Sequence, residues 1–207
     1  MSTPFVQQLF KSRIHILEIM KSLGYNTEEY EGFSLLEVDT MSSQGMMDLL
    51  LERSTPTKKR AFIKYFTNKM TPSDLNSIVD DLYDINQLLT NEDVLILITN
   101  QNISDTLKEN IQYLFDHHQK HIIVHDIRYL QFNGLKHRLV PEAHILTQEE
   151  REAFQKEYFV NDFKTQLPEL DRFDAQAKLI CARPGDVVQF KRMSQTAMES
   201  IYYRVCV

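Results

Sequence analysis

Val94-Leu95-Ile96-Leu97-Ile98 is an unbroken run of β-branched and leucine side chains between polar flanks, and it constrains the fold more than any other stretch of the 207 residues. Successive side chains of a strand point to opposite faces, so a strand with no polar side must be buried on both. The neighbouring segments alternate in type. Thr71-Pro72-Ser73-Asp74 reads as a helix start, with Leu75, Ile78, Val79, Leu82 and Ile85 at helical spacing behind it. Thr106 with Glu109 forms a capping box for a helix through Leu114, and His121 to Ile127 reads as a strand. Strands are also expected around Met46 to Arg53 and Arg60 to Thr67, on either side of Ser54-Thr55-Pro56. The second of these alternates Phe62, Lys64 and Phe66 with Ile63, Tyr65 and Thr67. The chain opens on a helix, with Thr3 as N-cap, Pro4 at the first helical position and a stripe of Leu9, Ile16, Met20 and Leu23, ended by Gly24. Tyr25 to Gly45 shows no clear period.

The texture changes after Asn133-Gly134. Pro141, a helix from Thr147 with Glu150 as its capping-box partner, Pro168 and a Pro184-Gly185 turn lead to two strands, Asp186 to Met193 and Ser200 to Val207, in a hairpin pattern. The fold class is therefore α/β with mixed α+β character: an α/β domain over 1–134 and a small α+β domain over 135–207 that ends in a β-hairpin. Of the 23 Lys+Arg and 29 Asp+Glu, 11 of each lie from Lys136 onward, so the whole net charge of −6 belongs to the first part. Tight independent binding of DNA needs a concentrated basic face, and neither part offers one. No stretch approaches the roughly 18 apolar residues of a membrane helix, and the N-terminus lacks a signal-peptide pattern, which predicts an intracellular home. Cys181 and Cys206 form no CxxC pair and are expected to be reduced and buried.

His117, His118, His121 and His125 are the one cluster with metal-ligand character. Placed on a strand, His121 and His125 sit about two pleats apart, too far to share an ion, so ordinary surface or half-buried histidines are expected. The five glycines are scattered, and neither GxGxxG nor a P-loop can be written. There is no GxSxG elbow. A metal-dependent nuclease would need strand-borne acids beside a lysine, yet the chain holds no Glu-x-Lys; Asp93 and Asp126 are better read as acids solvating loops at strand ends. Arg53, Lys58, Lys59 and Arg60 form the densest positive patch and could touch a duplex inside a larger complex.

The block His137-Arg-Leu-Val-Pro-Glu-Ala-His144, continued by Leu146-Thr-Gln-Glu-Glu150, resembles the His-x-Leu-Val-Pro-x-His element of the fifth subunit of eukaryotic DNA-directed RNA polymerases and of its archaeal counterpart. Leu167-Pro168, Asp174, Gly185-Asp-Val-Val188, Arg192-Met-Ser-Gln-Thr-Ala197 and Tyr203-Arg-Val205 resemble further elements of that family, in order and at matching spacing. More loosely, Leu23-Gly-Tyr25 and Ile98-Thr-Asn-Gln-Asn-Ile-Ser104 are similar to its first helix exit and to a strand end. Three departures stand out. Ala175 replaces a proline, Met198 stands where glycine commonly follows Thr-Ala, and Cys181 to Pro184 departs from Leu-Gly-Leu-Lys. Thr196-Ala-Met198 is similar to versions carried by large DNA viruses.

The resemblance implies a non-catalytic structural subunit without cofactor or metal. In such a subunit an N-terminal jaw domain borders downstream duplex DNA, and a C-terminal assembly domain docks on the largest polymerase subunit. Other polymerase subunits would be partners; a membrane or a small-molecule substrate would not. The nucleus is implied for a cellular form, a virion or host cytoplasm for a viral one. His137, Pro141, His144, Arg172, Asp174, Arg192, Ser194, Thr196, Tyr203 and Arg204 are the candidate partner-binding residues, and Arg192 and Arg204 on facing strands are expected to crowd like charges. Two other readings are a free-standing transcription adaptor using the same docking domain and the nuclease-like enzyme.

Overall fold

A computed structural model describes residues 4–53, 59–194 and 197–207, so Thr3 and the Ser54-Thr55-Pro56 linker lie outside the described residues. The chain divides into two compact units, Met1–Asn133 and Gly134–Val207.

In the first unit a four-stranded sheet runs in the order β1 (Leu49–Glu52), β2 (Arg60–Phe66), β3 (Val94–Thr99), β4 (His121–Asp126). β1 is antiparallel to β2, and the other pairs are parallel. Parallel neighbours need long crossovers, which α3 (Pro72–Val79) and α4 (Asp105–His118) supply. The apolar run is β3: Ile96 pairs with Ile63 on one side and Ile123 on the other, and all six residues are buried. At about 1.5–3 kcal/mol for each large apolar side chain removed from water, this strand contributes much of the unit's stability. α1 (Pro4–Ser22) buries Leu9, Ile16 and Met20, and Gly24 ends it at φ +87°, where a side chain would be strained.

The unit also corrects several expectations. The unassigned stretch holds α2 (Leu35–Ser43), opened by a capping box of Ser34 and Glu37. The N-cap of α4 is Ser104, whose Oγ accepts from the Leu107 amide; Thr106 lies inside the helix, which runs on to His118. α3 continues into a π-helical turn, Asp80–Ile85. Its wider turn advances the side chains by less per residue, so Leu75, Ile78, Val79 and Leu82 are buried while Ile85 is 70% exposed. Strict alternation fails in β2, where Ala61, Phe62 and Ile63 are all buried. Asp93 and Asp126 do not solvate loops; both are buried. Asp93 accepts from the Arg60 and Thr90 amides and from the Thr90 hydroxyl, which ties the start of β2 to the entry of β3. Asp126 accepts from the Arg128 amide and pairs with its guanidinium, which closes the exit of β4.

The second unit is a four-stranded mixed sheet in the order β5 (Glu142–Ile145), β7 (Val187–Ser194), β8 (Met198–Cys206), β6 (Glu169–Leu170). It also contains α5 (Gln148–Tyr158), α6 (Phe163–Gln166) and α7 (Ala175–Leu179). Alternate residues of the β7–β8 hairpin feed two cores. Val188, Phe190 and Cys206 pack with Leu170, Ala177 and Ile180, and Val187 and Val205 pack with Phe154 and Phe163. Gly185 at φ +94° turns the chain into β7 and donates its amide to the Cys206 carbonyl at 2.8 Å. Both cysteines are free, and burial pushes the Cys206 thiol up to about 12. The chain is thus a mixed α/β protein with two mixed sheets.

Candidate functional site

Most of the candidate partner-binding residues are occupied in building the second unit. His137 accepts from the Leu139 amide through Nδ1, shaping the turn that leads to Pro141, and the Pro141 carbonyl accepts from Gln176 at 2.6 Å. His144 on β5 pairs with Glu150 at 3.0 Å; Glu150 also accepts from the Thr147 amide in the capping box of α5. These contacts, the Thr147 amide first, hold the Glu150 carboxyl down at about 2. Asp174 caps α7 by accepting from the Gln176 and Ala177 amides. Arg172 donates to the Val207 carbonyl at 3.0 Å, and Arg204 donates to the Glu169 carbonyl at 3.1 Å. Tyr203 leans on Phe154 at 4.3 Å between ring centres and accepts from Gln189; partial burial pushes its hydroxyl up. Ser194 accepts from the Ala197 amide, and Thr196 lies outside the described residues.

The crowding of Arg192 and Arg204 does not occur. The register sets Arg192 opposite Ser200 and Arg204 opposite Val188. The two arginines share a face but stand four positions apart along the hairpin, roughly 13 Å at the usual strand rise. Arg192 is exposed and makes no side-chain hydrogen bond or ion pair among the described residues.

Around Arg192 the hairpin exposes apolar side chains on both of its faces, Met198 on the side of Arg192 and Met193 and Ile201 on the other, and the sequence did not single out this combination. The hairpin runs past both cores, and its distal half exposes Met193 (80%), Met198 (81%) and Ile201 (54%). β6 covers β8 only at Val205 and Cys206, so the outer edge of β8 from Met198 to Arg204 carries no partner strand among the described residues. An open edge flanked by exposed apolar side chains and one uncommitted cation can take a partner through backbone pairing, apolar contact and a directional charge. The signal was available in outline, as apolar residues continuing past the hairpin's core contacts. The strand register that decides their exposure was not.

In the first unit two of the four residues of the positive patch are held in ion pairs. Lys59 pairs with Glu92 at 3.2 Å and Arg60 with Asp93 at 3.5 Å, while Arg53 is exposed and donates its amide to the Lys59 carbonyl. Lys58 lies outside the described residues. The four histidines separate. His117 and His118 are exposed at the end of α4, and the His117 ring stacks on Tyr113 at 4.2 Å. His121 and His125 are each only 4% exposed in β4, more deeply buried than the half-buried placement expected of them, because β4 is buried along its whole length.

Residues 132–206 match the family model "RNA polymerase Rpb5, C-terminal domain". Three archaeal proteins named DNA-directed RNA polymerase subunit Rpo5 align with the chain. That of Pyrococcus abyssi is 43% identical over 77 residues, which is 37% of this chain and 92% of the relative. That of Archaeoglobus fulgidus is 41% identical over 78 residues, 38% of this chain and all of the relative. That of Methanothrix thermoacetophila is 42% identical over 71 residues, 34% of this chain and 88% of the relative. The stretch matched by the family model is nearly the second compact unit, with its two cores and its hairpin. The chain belongs to the Rpb5/Rpo5 family of DNA-directed RNA polymerase subunits.

Proposed function

We propose that this chain serves as a non-catalytic subunit of a multi-subunit DNA-dependent RNA polymerase. In this reading the unit Gly134–Val207 anchors it to the largest subunit, and the unit Met1–Asn133 borders downstream duplex DNA as part of the jaw. The observation that carries it is the agreement between the stretch matched by the family model, 132–206, and a unit that folds around its own cores. The contact itself is assigned to the distal hairpin, where Arg192, Met193, Met198 and Ile201 are exposed beside the open edge of β8. The first unit holds the entire charge excess of −6, and Lys59 and Arg60 of its positive patch are tied to Glu92 and Asp93; both support a role beside DNA rather than a grip on it. Catalysis then belongs to other chains of the complex.

Affinity purification of the tagged full-length chain from its native source tests this reading. A constant ratio to the largest polymerase chain through a high-salt wash is expected, and loss of that chain in salt overturns the reading in favour of an adaptor. Met193→Asp combined with Ile201→Asp should lower recovery of the largest chain at least about tenfold with an unchanged melting temperature, as expected of exposed anchors. Full recovery by this variant would move the contact elsewhere.

A further inference from the structure

Arg13 is on the buried side of α1 and is 2% exposed, yet none of its three guanidinium nitrogens reaches an acceptor among the described residues. A guanidinium carries five N–H donors and keeps its charge at any pH a protein survives. Excluding it from water without partners is among the costliest arrangements a fold can hold. The Phe33 ring, 5.1 Å from the guanidinium carbon, compensates in part, but it faces a single side of the plane and satisfies none of the in-plane donors. Desolvation accordingly pulls the guanidinium below its ordinary value.

Arg13 and Phe33 both line a pocket of about 300 Å³ between α1, the segment Tyr30–Phe33 and α2. Its walls are otherwise mostly apolar, with Phe10, Ile14, Leu17 and Val38, and besides Lys21 two carboxylates stand in its lining, Glu18 and Glu31. Neither serves Arg13. Glu18 accepts from Asn133, and Glu31 accepts from Lys21 at 2.9 Å and from Thr27. Phe33 lies in a stretch without regular secondary structure, so moving its ring aside breaks no strand pairing.

We propose that this pocket binds a carboxylate attached to an apolar group, with Arg13 receiving the two oxygens on its planar edge and the pocket walls covering the apolar part. A carboxylate matches the guanidinium fork bidentately. Glu18 and Glu31 already stand against Arg13 and Lys21 in the lining, so a doubly charged phosphate would bring one more unoffset negative charge than a carboxylate does. The volume is at the small end of ligand sites and suits a small acid or one acidic side chain with its neighbour. Free acids and polypeptides both supply this chemistry. The inference is independent of the polymerase reading, since it concerns only the unit Met1–Asn133.

The test uses the full-length chain and isothermal titration with phenylacetate, its neutral counterpart 2-phenylethanol, inorganic phosphate, and the blocked dipeptide N-acetyl-Leu-Glu-amide, each to about 10 mM. At least one of the two carboxylates should bind, at least about tenfold more tightly than the alcohol or phosphate, and the tighter of the two identifies the source. Arg13→Leu should abolish that binding without lowering the melting temperature, because it removes an unpartnered buried charge. Arg13→Lys, which keeps the charge but loses the fork, should weaken binding at least about tenfold. Absence of binding by both carboxylates, phosphate binding as tightly as they do, undiminished binding by Arg13→Leu, or a fall in melting temperature for Arg13→Leu would each overturn the proposal.

Discussion

Met198 adopts φ 58°, the left-handed region in which an L side chain crowds its own backbone and glycine does not. Met198 therefore carries backbone strain that a glycine at this position would not. Met198→Gly should stabilise the second unit by about 0.5 kcal/mol, roughly 3 °C in melting temperature; a lower melting temperature would refute the strain. Ala175 carries no such cost. It is the first residue of α7 behind the Asp174 cap, a position that welcomes proline but does not require it. Cys181, in the segment that departs from the family's Leu-Gly-Leu-Lys, also lies at positive φ, 56°. Residue identity alone marked all three positions as departures, and only the backbone angles separate the strained ones from the harmless one. The same holds for Arg172, Asp174, Tyr203 and Arg204. Their types suggested partner contacts, but each finds an acceptor, donor or ring within its own unit.

Helix starts were the most legible elements, because a capping box is a contact between residues three apart. The helix start behind Thr147 was read correctly on that basis and the one at Thr71-Pro72 from its residue types, and Ser34-x-x-Glu37 carried the capping-box signal within a stretch that otherwise lacked a period. Ser104 and Thr106 illustrate the limit: both are capping types, and which hydroxyl faces the orphan amides depends on where β3 releases the chain. The cap of α5 has a pH signature. Glu150 is held at about 2 against an ordinary 4.5, so its charged form stabilises the fold fully above about pH 4.5, and that contribution is lost as pH falls toward 2. Glu150→Gln keeps the hydrogen-bonding shape without the charge. It should be less stable than the parent by about 0.5 kcal/mol at neutral pH, a modest figure because the side chain is about half exposed, with the gap closing between about pH 4.5 and 2. A gap independent of pH in denaturant titrations would show that the charge is idle.

At the scale of the whole molecule the two units have different physics. The first is built on β3 and β4, buried along their whole length, and carries the net charge; the second is a neutral sheet with a core on each face. Residues 134–207 expressed alone should therefore remain soluble and melt in one cooperative transition, measured by circular dichroism; a broad, non-cooperative melt would show that their cores do not suffice. The alternation of helix and strand, the mixed α/β class and the family were readable from the chain itself, since each rests on patterns spanning a few residues or on ordered motifs. Register, burial and pairing were decided only in three dimensions. The hairpin places Arg192 opposite Ser200 and not beside Arg204, the π-helical turn rotates Ile85 into water, and Asp93 is drawn from a loop into the core by Arg60 and Thr90. In each case the deciding contact joins segments distant in sequence or shifts a local period, and no spacing along the chain encodes which distant groups will compete for the same donor, acceptor or apolar surface.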